Sequence, residues 1–63
     1  MNNQKQILSS KELAKLLGVS RATLWRMRQE NLVPQPIQIS VRLIGWERHV
    51  IDAWLKERRE QLH

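Results

Sequence analysis

Two helix signals lie only three residues apart in this chain, and that spacing restricts the fold more than any other feature. Ser9, followed three residues later by Glu12, has the spacing of a capping box, in which each side chain satisfies a free backbone N–H of the other residue. Leu13, Ala14, Leu16 and Leu17 then form one apolar face at helical spacing, with Lys11 and Lys15 opposite. Gly18 is free to take the positive φ that ends a helix. Ser20 is a preferred N-cap, and Arg21-Ala22-Thr23-Leu24 starts a second helix at once. A first helix over about residues 10–17, a tight turn at Gly18-Val19-Ser20 and a second helix to about Glu30 make a helix-turn-helix. Asn31 supplies a left-handed cap, and Pro34 blocks any continuation.

After Pro36 the period changes. Ile37-Gln38-Ile39 alternates as a short strand does, and Arg42 to Trp46 reads as the return strand, with Ser40 and Val41 at the turn. Neither turn residue favours the positive φ of the tight hairpin turns. From about Glu47 a third helix begins, with Val50, Ile51, Trp54 and Leu55 as its apolar stripe and Lys56 to Glu60 as its polar end. The fold class expected is mainly α with a small β-hairpin, a winged helix-turn-helix in the order helix-helix-hairpin-helix. Residues 1–7 are expected as a flexible tail and 8–63 as the DNA-binding domain.

The chain has 63 residues and no cysteine, so apolar packing alone must hold it. No apolar run approaches the roughly 20 residues that span a bilayer, and the first residues lack a signal peptide's apolar stretch. This suits a cytoplasmic, nucleoid-associated protein with no membrane partner. Eleven Lys and Arg against six acids give a formal charge of +5, a field that attracts polyanions, nucleic acid first among them. With no cysteine, two histidines and no glycine-rich phosphate loop, no nucleophile and base can be named, so an enzyme is not expected. His49 and Asp52 stand three apart on one helix, but two ligands do not close a metal site, and neither a cofactor nor a small-molecule substrate is expected.

At 100° per residue along the second helix, Leu24 and Met27 fall together and face helix one, while Ala22, Trp25, Arg26 and Gln29 cluster opposite, flanked by Arg21 and Arg28. Arg26 can pair bidentately with a guanine edge, a contact worth ~1–3 kcal/mol of discrimination, or meet a phosphate. Arg21, in the first turn, is expected on phosphate or base, and Ala22 permits close approach to a thymine methyl. Thr23 either bonds a phosphate or caps its own helix, beside the cap residue Ser20. Trp25 either packs on the sugar-phosphate backbone or folds back onto the hairpin. Trp46 and Trp54 read as core. Arg42, beside the hairpin turn, is placed to meet a neighbouring phosphate or the minor groove. The expected contact set for double-stranded DNA is thus Ser20, Arg21, Ala22, Thr23, Trp25, Arg26, Arg28, Gln29 and Arg42.

The stretch Gly18 to Arg26, then Pro34-Gln35-Pro36-Ile37, Gly45-Trp46 and Ile51-Asp52-Ala53-Trp54-Leu55 resembles the AlpA family of prophage regulators, kin in fold to phage excisionases and MerR-type DNA-binding domains. The resemblance runs from about Leu8 to Leu55. Such proteins often carry glycines in the hairpin turn where this chain has Ser40-Val41, which bears on the wing's geometry. The resemblance implies that the second helix is the recognition helix and the hairpin a small wing. It implies sequence-specific DNA binding in the control of prophage or genomic-island genes, often those of integrase and excision. An excisionase that bends DNA directly is the alternative, and a protein-interaction module is the rival from another class. One helix reads only a few base pairs among a million or more competing sites, so action in several copies on DNA, by self-association or cooperative binding, is expected.

Overall fold

The computed structural model describes residues 6–61; residues 1–5, most of the expected tail, and residues 62–63 lie outside the described residues. The elements are β1 (Ile7–Leu8), α1 (Ser10–Leu17), α2 (Arg21–Gln29), β2 (Ile37–Ser40), β3 (Leu43–Glu47) and α3 (Arg48–Gln61). The chain is mainly helical with a small antiparallel hairpin, in the order helix, helix, hairpin, helix, the arrangement of a winged helix-turn-helix.

The capping box forms as its spacing predicts. The Glu12 N–H donates to Ser9 Oγ at 3.1 Å, and the Ser9 N–H donates to Glu12 Oε1 at 3.0 Å. Both helices of the pair then end in the same way. Gly18 and Asn31 take φ of +73° and +59°, and the next N–H in each case reaches back five residues, Val19 to Ala14 and Leu32 to Met27. This Schellman closure satisfies carbonyls that the helix leaves free. Leu13, Ala14 and Leu24 are thereby turned inward and buried.

The structure departs from the sequence reading around the sheet. The hairpin turn is Val41-Arg42, one residue later than expected, so β3 starts at Leu43 and α3 at Arg48. Neither turn residue has positive φ. The turn is therefore not of the primed types whose twist matches the strands, and a bulge compensates: Ser40 pairs with Leu43 but Gln38 with Ile44, leaving Ile39 as the extra residue. A further strand, β1, was not expected. It pairs Ile7 with Glu47 and Leu8 with Trp46, giving a three-stranded sheet in the order β1-β3-β2. Gly45 is buried where β1 and β2 close over it; a Cβ there would lie 2.6 Å from Ile7 Cγ2 and 3.1 Å from the Leu8 carbonyl.

The core comprises Leu8, Leu13, Ala14, Leu24, Val33, Trp46 and Ile51. Trp46 is 2% exposed, and its indole N–H donates to the Pro34 carbonyl at 2.7 Å, fixing the loop between α2 and β2. Trp54, expected as core, packs against it only half-buried. Its ring lies under the Arg58 guanidinium, 5.4 Å from the centroid, and Arg58 donates to the Leu32 carbonyl at 3.1 Å. The first contact lies within α3 and holds the guanidinium in place, and the second ties α3 to the end of the helix pair. The other face of the hairpin stays open to solvent, with Ile37, Ile39 and Leu43 about half exposed and Val41 almost fully so.

Candidate nucleic-acid interface

The outward face of α2 follows from its periodicity. Leu24 is buried, Thr23, Met27 and Arg28 are half-buried, and Arg21, Ala22, Trp25, Arg26 and Gln29 are exposed. Met27, with Leu17 and Val19, packs against the core. Burying the 24/27 side of the helix therefore forces the 21/25/29 and 22/26 rows outward.

Ser20 caps α2. Its Oγ accepts from the Thr23 N–H at 3.1 Å and its hydroxyl meets Thr23 Oγ1 at 3.0 Å. Both hydroxyls thus serve the helix start, which fixes the axis along which the other side chains project. Trp25 is 58% exposed, so its indole stands outside the core and not against the hairpin interior. That contrasts with Trp46 and Trp54, each engaged as described above.

The arginines divide in a similar way. Arg48 lies 4.0 Å from Asp52, and Arg58 is held by Trp54 and Leu32. Among the described residues, Arg21, Arg26 and Arg28 have no carboxylate or carbonyl partner for their guanidinium groups. No acid lies within α2 to neutralise them. Three unpaired guanidiniums on nine residues give this helix an uncompensated positive face.

Four of the expected contact residues, Arg21, Ala22, Trp25 and Arg28, line one open cleft of about 410 Å³ together with Ser10 of α1 and the edge of Trp46. Ser10 was not singled out from sequence, since only the crossing of α1 and α2 brings it there. Arg26 and Gln29 do not line the cleft, and Arg42 stands apart on the hairpin turn, exposed. His49 faces Glu47 at 3.0 Å, not Asp52. No group of three or more potential metal ligands occurs among the described residues, and no helix there is long and apolar enough to cross a membrane.

A capped second helix set three residues beyond the first, followed by a hairpin, defines a helix-turn-helix protein. The family model described as "Prophage CP4-57 regulatory protein (AlpA)" matches residues 6–59, and the chain belongs to this AlpA family of prophage regulatory proteins. The family is a regulatory one, not a family of enzymes. Comparison with curated proteins gives no match.

Proposed function

We propose that the protein binds double-stranded DNA by laying α2 in the major groove, with the hairpin as a wing, and that it regulates prophage or genomic-island genes, those of integrase and excision foremost. The observation that carries this reading is the outer face of α2: three unpaired arginines and an exposed indole on a capped helix in a regulatory family. An exposed Trp and unpaired Arg add nothing to the core, and both have uses on a polyanion. Arg42, on the exposed turn, reaches the neighbouring backbone in this reading. The short reach of one helix makes occupation of repeated sites by several copies the mode of action. Action inside the cytoplasm, at the nucleoid, follows from the target.

The test is fluorescence anisotropy with a labelled duplex of about 25 base pairs, long enough for a few modules. Binding that weakens steeply with salt is expected; no binding at low salt refutes the proposal. Mapping of bound sites across the genome would then show whether integrase and excision promoters are among them, and occupancy confined to attachment sites would favour an excisionase instead.

A further inference from the structure

The outer face of α2 is not uniform. Arg21 and Arg28 are seven residues apart, about two turns, so they project from one flank with roughly 10 Å between them along the axis. Trp25 lies between them, four residues after the first and three before the second. These three side chains line the cleft that α2 forms with the start of α1, whereas Arg26 and Gln29 do not. No acidic residue lines the cleft, so nothing in it repels an anion. Ser10 is the first residue of α1, where backbone N–H groups are free and the helix dipole is positive.

A helix lying in the major groove meets base edges along its central line and the phosphate walls along its flanks. The cleft is on a flank, at the junction with the protein body. We infer that this cleft seats the sugar-phosphate backbone of one DNA strand: the Trp25 indole is the platform for a deoxyribose, its N–H and the Arg21 and Arg28 guanidiniums hold the phosphates on either side, and Ser10 closes the inner edge. These residues fix where the protein sits along the duplex. Base discrimination is left to Arg26 and Gln29, which lie outside the cleft, while the small Ala22 lines it and lets the backbone approach closely. The inference rests on the DNA-binding reading above and assigns within it which strand element each side chain takes.

Two measurements test it on the full chain, with two duplexes of unrelated sequence. Arg21→Gln and Arg28→Gln should each shallow the slope of log K against log salt by about one unit, and should weaken binding to both duplexes by the same factor. Trp25 should also lose its quenching by acrylamide, a neutral quencher, when duplex is added, measured as the difference between wild type and Trp25→Phe. Circular dichroism checks that the variants are folded. If the wild type binds but both slopes are unchanged, or Trp25 stays as quenchable with saturating duplex, the cleft does not hold the backbone while the DNA-binding reading survives. A change in the ratio of affinities for the two duplexes would place these arginines on bases and overturn the assignment. If the wild type binds neither duplex, both proposals fall together.

Discussion

Arg26 and Arg42 carry the same charge, but the elements that present them set what each can reach. Arg26 projects from the middle of a capped helix, exposed and without a carboxylate partner among the described residues. A guanidinium fork held on a rigid helix can match guanine O6 and N7 at once. Arg42 sits on a two-residue turn next to the almost fully exposed Val41, where a phosphate is the nearer target. On a mapped binding site, Arg26→Ala should therefore reduce the ratio of specific to random affinity by roughly 10-fold or more, since a bidentate base contact is worth ~1–3 kcal/mol. Arg42→Ala should weaken both kinds of DNA alike. Anisotropy on specific and scrambled duplexes separates the two. Equal losses for Arg26→Ala would reduce α2 to a phosphate clamp.

At the scale of elements, the sheet is the joint that holds the helix pair to α3. Trp46 is both core and latch, since its ring is buried and its N–H holds the Pro34 carbonyl. Trp46→Ala should cost about 3–5 kcal/mol, which is most of what a domain of this size has, so the variant should have lost its cooperative thermal transition at room temperature. Gly45→Ala acts on the other face. Its methyl would press on Ile7 and on the Leu8 backbone, and overpacking of this kind costs about 1–3 kcal/mol. A Gly45→Ala protein that melts where the wild type does would mean that β1 is not seated on β3. The signals that were legible are those written within five residues: the Ser9/Glu12 box, the closures at Gly18 and Asn31, the Ser20 cap, and the exposed face of α2 that follows once Leu24 is buried. Those that were not legible depend on distant partners. The two residues of β1 have no period to read. Val33 becomes core because Trp46 and Arg58 hold the loop on either side of it. The hairpin turn lacks the Gly or Asn that would have marked it, and its bulge shifts the register by one. Ser10 joins the cleft only through the crossing of α1 and α2.

For the whole molecule, the net charge of +5 and the placed charge make different predictions about salt. A diffuse positive field would respond to the removal of any exposed cation. Placed contacts respond only to the cations that touch phosphate. In the proposed docking Arg21, Arg28 and Arg42 take phosphates and Arg26 a base edge, while Lys15 lines a depression with Glu12 and Arg48, and Lys56 lies on the exposed side of α3. Three phosphate contacts imply a slope of log K against log salt of about −2.7, at about 0.9 per phosphate neutralised. Affinity should then fall about 40-fold between about 50 and about 200 mM salt. Replacing both Lys15 and Lys56 by Gln lowers the formal charge from +5 to +3 but touches none of the three, so the slope should stay within about half a unit of wild type. Arg42→Ala removes only one charge and should shallow it by about one unit. If the double lysine variant instead loses as much slope as Arg42→Ala or more, attraction is spread over the surface, and the arginines of α2 and the wing are not the docking points. If the wild-type slope is flat, electrostatic contact with the backbone does not drive binding at all.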